Sequence, residues 1–218
     1  MTSVTFAGID ESCGYTLRNL AELVDNVDID IEIAILFSHS RAGRYPRYPS
    51  EYFLYKFAYE YTGYKSIHLC GTVNEDVLLR QQYINLLDKF DSIQFNNKNI
   101  SVVTQENVLK VKDKLRYTGR IIHPISSFDT PVLDNCYGLL DNSAGRGIQQ
   151  ELPETLPKTV KKPYRYGFAG GINKNTLKDT YMKAHQLGLG WIDMESCCRD
   201  QYDRFEVEEL VDILGSIS

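Results

Sequence analysis

The amino-acid sequence predicts an α/β protein, a single (β/α)8 TIM barrel formed by residues 1–218. Three observations lead to it. Eight short apolar segments are interleaved with helical patterns along 218 residues, the number a compact barrel needs. Three late segments, 137–148, 165–176 and 190–199, share one plan: an apolar strand, a polar residue near its C-terminal end, then small or glycine residues opening towards a helix. The first strand runs into Gly8-Ile9-Asp10-Glu11 rather than the glycine-rich turn with which an open doubly wound sheet begins.

The elements follow in order. Val4 to Ile9 is a strand, and turn residues from Asp10 to Gly14 precede a helix whose stripe is Leu17, Leu20, Leu23 and Val24. Ile31 to Phe37 is continuously apolar, as a strand covered on both faces should be. A polar loop with Pro46 and Pro49 leads to Ser50-Glu51, a helix start, with the helix running towards Tyr61. Ser66 to Cys70 is the third strand and 75–90 a helix. Ser92 to Asn96 is the fourth strand, and helical sequence follows from Gln105 to Leu115. Arg120 to Ile125 is the fifth, with a short or irregular return near 129–133. Tyr137 to Asp141 is the sixth, and 149–163, rich in Pro, Glu and Lys, reads as an exposed excursion. Arg165 to Ala169, a helix over 174–187, Trp191 to Glu195 and a closing helix over 205–214 complete the count.

Composition narrows the function. A net charge of −5 argues against a nucleic acid polymer as partner, because phosphates must be met by clustered Lys and Arg. No apolar run reaches the length of a membrane span, and Met1 to Phe6 has neither a basic segment nor a signal-peptide core, so the expected location is cytoplasmic. Five cysteines with irregular spacing, two of them adjacent at Cys197-Cys198, read as reduced thiols. Tyrosines cluster between Tyr45 and Tyr64, an aromatic surface suited to contact with another subunit, so a homo-oligomer is one expected partner state.

In a barrel the chemistry sits where strands end. Here those positions hold Asp10, His39, His68 with Cys70, Gln94 with Asn96, His123, Asp141, and Asp193 with Glu195. Residues two apart share a face of a strand, so each of these pairs points the same way. Burying so many polar groups is costly unless each is paired, which favours a polar barrel mouth. His39, His68, His123, Asp141 and Glu195 are types that bind Zn²⁺ or Mn²⁺, but no local ligand motif joins them. No metal or cofactor is assigned.

Three stretches resemble the last strand–loop units of phosphoribosylanthranilate isomerase. Leu139-Leu-Asp141 with Gly145-Arg146-Gly147 is similar to its Leu-Leu-Asp and glycine loop. Ala169-Gly170-Gly171-Ile-Asn-Lys-Asn175 is similar to its Gly-Gly-Leu-Asn-Pro-Glu-Asn, and Ile192-Asp193-Met-Glu195-Ser196 to its Val-Asp-Val-Ser-Ser-Gly. Arg47-Tyr-Pro-Ser50 resembles its Arg-Tyr-Val-Ser, and Ile93-Gln94-Phe-Asn96 its Val-Gln-Leu-His.

The resemblance implies a small phosphorylated ligand at the last loops, around Gly145, Arg146, Gly147, Gly170, Gly171, Asp193, Glu195 and Ser196. It places Arg47 on a ligand carboxylate, and Arg199 could add a contact to the anion. The implied reaction is an Amadori rearrangement, with Asp141 as general acid and a strand-one cysteine as base. Here that strand reads Thr5-Phe-Ala7-Gly8, and alanine takes no proton. Three expectations follow: another group such as Asp10, Glu11 or Cys70 has taken the role, or the substrate and reaction differ, or the barrel binds without turnover.

Overall fold

The computed structural model describes residues 2–96, 100–116, 119–141, 149–195 and 198–217. Eight strands form a closed, all-parallel barrel: β1 (Ser3–Ala7), β2 (Ile31–Phe37), β3 (Lys65–Cys70), β4 (Ser92–Asn96), β5 (Arg120–Ile125), β6 (Tyr137–Leu140), β7 (Tyr166–Ala169) and β8 (Trp191–Met194). β8 pairs back to β1 with Thr5 opposite Asp193.

The period of two divides each strand between two environments. Phe6, Ile33, Ile35, Ile67, Leu69, Phe95, Phe168 and Ile192 point outward and are buried under the helices. The lumen receives the alternate residues. At its floor Glu32 accepts from Thr5 Oγ1 at 3.0 Å and Ser92 Oγ at 2.5 Å, and pairs with Arg120 at 2.9 Å. The Arg120 guanidinium lies 5.2 Å from the Trp191 ring centre. Trp191 occupies the space that glycine leaves at position 167, where an added Cβ would lie 2.1 Å from the indole. The same floor opens outward into a cavity of about 360 Å³ beside Ser3, Tyr64 and Gly119.

The helices are α1 (Leu17–Asp25), α2 (Glu51–Glu60), α3 (Val73–Leu78), α4 (Ile84–Leu87), α5 (Gln105–Lys112), α6 (Leu177–Gln186) and α7 (Val207–Ile217). Thr16, Ser50 and Thr104 cap α1, α2 and α5, each side-chain oxygen accepting an amide hydrogen from three residues on at 3.2 Å.

Some expectations are corrected. The single helix expected over 75–90 is two short pieces, because Gln81 and Tyr83 take left-handed φ values of 57° and 63° between them. Strand one ends at Ala7 rather than Ile9, where Gly8 turns away at φ 101°. The return from β5 to β6 is irregular, as expected, and residues 149–163 carry no α-helix. Tyr45, Tyr52, Tyr55, Tyr59 and Tyr64 are exposed, whereas Tyr48 and Tyr61 are buried. No helix among the described residues is long and apolar enough to cross a membrane. Cys13, Cys70, Cys136 and Cys198 are free thiols.

Candidate active site

The C-terminal mouth collects most of the expected residues. Strand register brings Asp141, Ala169 and Asp193 to one level on three adjacent strands: Leu140 pairs with Phe168, and Ala169 with Asp193. Two strand spacings place the Asp141 and Asp193 backbones roughly 10 Å apart, with only a methyl group between them. Their charges interact: burial first, and then the neighbouring Asp141 and Glu32, push the Asp193 carboxyl up to about 7, while Gln94 and Arg120 pull it down.

Gln94 crosses the lumen from β4 to the opposite strand. Its amide nitrogen lies 3.4 Å from Asp193 Oδ2, 3.0 Å from Asn96 Oδ1 and 3.4 Å from His68 Nδ1. The amide has two hydrogens for these three acceptors, and a donor at Nδ1 suits the neutral imidazole of His68. Burial favours the same state, lowering its pKa to about 4. His68 Nε2 and Gln94 Oε1 are both buried without a partner among the described residues. Each such atom costs about 1–3 kcal/mol; the Tyr61 hydroxyl and Asn74 Oδ1 are in the same state. Cys70 shares the face of His68, and burial pushes its thiol up to about 12.

A chain of charges crosses the rim. Arg47 bonds Glu195 Oε1 at 2.6 Å and grips Asp203 with two nitrogens at 2.8 and 2.5 Å. Arg199 pairs with Asp203 at 3.0 Å and with Asp10 at 2.7 Å, and its guanidinium also donates to the Gly8 carbonyl. The Asp10 and Arg199 side chains are 3% and 2% exposed. Asp10 further accepts the amide hydrogens of Ser12 and Phe205.

These contacts correct several site expectations. Asp10 is sealed in an ion pair with Arg199 and accepts the Ser12 and Phe205 amide hydrogens as well. Arg47 and Arg199 each hold carboxylates of the protein itself. His123 is not at the mouth. It follows Ile122, which faces the lumen, and therefore points outward, where Nε2 accepts the Leu133 amide hydrogen at 3.2 Å. His39 lies apart as well, with Nε2 3.2 Å from both Asp76 and the Tyr83 hydroxyl. Among the described residues no three His, Cys, Asp or Glu groups are placed to hold a metal ion. Glu11 accepts the Ser50 amide hydrogen and caps the rim.

Gly170 and Gly171 take φ values of 125° and 64°, so the turn after β7 needs glycine at both positions. The amides of Gly171 and Ile172 have no partner among the described residues. Gln150 lies against Gly170: a Cβ there would meet its side chain at 3.1 Å. Gly145, Arg146, Gly147 and Ser196 lie outside the described residues.

The sequence singled out Glu195 without signalling its bond to Arg47. Asp203 and Tyr48 were not anticipated; the Tyr48 hydroxyl accepts from Arg41 at 2.7 Å beside the lumen. The spacing between these residues is far too long for a local pattern to show it.

Together these features define a parallel (β/α)8 barrel with a carboxylate-rich C-terminal mouth. Solved structures of the same shape include phosphoribosyl anthranilate isomerase from Thermus thermophilus, at 16% identity and TM-score 0.59, covering 99% of this chain and 98% of that one. TrpF from Jonesia denitrificans matches at 13% identity and TM-score 0.62, over 100% and 97%. Tryptophan synthase subunit alpha from Campylobacter jejuni matches at 11% identity and TM-score 0.59, over 100% and 95%. No protein-family profile and no curated protein matches the sequence. At these identities the likeness establishes the fold, a closed (β/α)8 barrel.

Proposed function

We propose that this protein is an isomerase acting by acid–base catalysis on a small phosphorylated sugar held at the C-terminal mouth. The observation that carries the reading is the pairing of Asp141 with Asp193 across Ala169, where burial keeps one carboxyl titrating near neutrality. Such a group can hold or release a proton under the conditions in which a sugar carbonyl enolises. Asp141 is the acid at the ligand oxygen. Phosphate binding is assigned to the Gly171 and Ile172 amides at the start of the β7–α6 connection, which no described residue engages, with the Gln150 side chain beside them at Gly170. The similar folds of phosphoribosyl anthranilate isomerases agree with this ligand class.

A binding-only barrel is the second reading, and Ala7 favours it. That residue is buried among Ala34, Leu36 and Tyr48 and gives the β1 side of the mouth no group to take a proton. Calorimetric titration with ribose 5-phosphate and with inorganic phosphate tests the ligand. Ribose 5-phosphate should bind at least tenfold more tightly than phosphate; equal affinity, or no binding of either, would refute a phosphosugar. Turnover that disappears in Asp141→Asn with binding retained selects the enzyme over the binder.

A further inference from the structure

With Asp10 sealed and Cys70 held as a thiol, the acid–base reading lacks its second group. The geometry assigns that role to Glu195: we propose that its free carboxylate oxygen is the general base, working opposite Asp141. The proposal rests on the acid–base reading above and names the residue that completes it.

Strand register puts the carboxylate in place. Phe6 pairs with Met194, so the next residues along, Ala7 and Glu195, stand side by side. The stem of Glu195 passes over the end of β1, its Cγ 3.9 Å from where a Cβ on Gly8 would lie. That separation is an ordinary van der Waals contact; the tight neighbour of Gly8 is the Arg199 guanidinium, at 2.6 Å from the same position.

Glu195 is also oriented as a base must be. Oε1 receives Arg47 at 2.6 Å, and Arg47 is in turn clamped by Asp203 through two bonds. Oε2 accepts no hydrogen bond among the described residues, and the side chain is 27% exposed at the mouth. Asp193 is deeper, 8% exposed and engaged by Gln94, which makes it a neighbour that tunes charge rather than the group that meets carbon. Burial, then Asp193, raises the Glu195 carboxyl, and Arg47 opposes the rise. A carboxylate so placed is more basic than one in water.

For an aldose phosphate in its open form the step balances as follows. Glu195 Oε2 takes the C2 proton, and the C–H electron pair forms the C1=C2 bond of an enediol. The carbonyl π pair moves to O1, which takes a proton from Asp141. After its proton exchanges with solvent, Glu195 returns a deuteron to C2, the enediol electron pair re-forms the C1 carbonyl and the O1 proton goes back to Asp141, which regenerates the aldose with C2 labelled.

The test is exchange of the C2 hydrogen of ribose 5-phosphate in D2O, followed by proton NMR with the full chain. Wild type should exchange above background. Glu195→Gln should lose at least about 100-fold, within the range general-base removal produces, while still binding ribose 5-phosphate, and Glu195→Asp should fall between. Undiminished exchange in Glu195→Gln, with loss in Asp141→Asn or Asp193→Asn, would overturn the Glu195 assignment and leave the acid–base reading standing. No exchange by wild type would overturn both. If Glu195→Gln fails to fold, Glu195→Asp decides: an unchanged rate overturns the assignment.

Discussion

Asp193 and His68 pull the pH dependence of stability in opposite directions. Asp193 has a folded pKa of about 7, whereas the unfolded carboxyl titrates near 4. The folded state therefore holds that proton more tightly, and the stability it carries is full below pH 4 and lost as pH rises through 7. The loss is on the order of 2–4 kcal/mol. Asp193→Asn should consequently be more stable than wild type at pH 8 and no more stable near pH 4, as read from urea midpoints; equal midpoints at pH 8 would contradict the burial cost. His68, lowered to about 4 by burial, works the other way: its stabilisation is present above pH 6.5 and lost as pH falls through 4. Arg199 is the second sensitive residue. Its removal strands Asp10, buried at 3% side-chain exposure, and breaking such a pair costs about 3–5 kcal/mol. Arg199→Leu should lose that much in denaturant unfolding, and a loss under about 1 kcal/mol would mean that water reaches Asp10.

At the scale of elements, local signals explain what the sequence reveals and what it conceals. Ser50 before Glu51 and Thr104 before Gln105 announce their helices because a cap is chemistry between residues three apart. Ser50→Ala should cost about 1 kcal/mol in thermal unfolding. Gln81 and Tyr83 hide the break between α3 and α4, since neither residue favours a left-handed backbone and only the packing of 73–90 imposes it. Gln81→Gly should raise stability by up to about 1 kcal/mol by relieving that conformation; an unchanged melting temperature would show that the strain is absorbed elsewhere. His123 shows a related blindness. Alternation along 120–125 is evident, but which alternate residues face inward is decided by contacts with β4 and β6, which local spacing does not encode.

For the whole molecule, the closed ring is legible because eight apolar segments with polar ends leave few other arrangements, and Asp141, Asp193 and Glu195 duly gather at one rim. The rim's charge chain is not legible, since Asp10, Arg47, Glu195, Arg199 and Asp203 meet only after β8 closes on β1. Closure itself depends on Gly167. A methyl there would collide with Trp191, and overpacking of this kind typically costs about 1–3 kcal/mol. Gly167→Ala should therefore unfold at markedly lower urea concentration, and a midpoint within error of wild type would mean that the indole can move aside. The tryptophan beneath the mouth, braced by Arg120, also determines traffic. It works as a stopper, making the ring a cup rather than a tube. Whatever enters must leave by the door it came through, so the departure of one guest and the arrival of the next compete for one passage, and any long appendage on a guest has to trail outside.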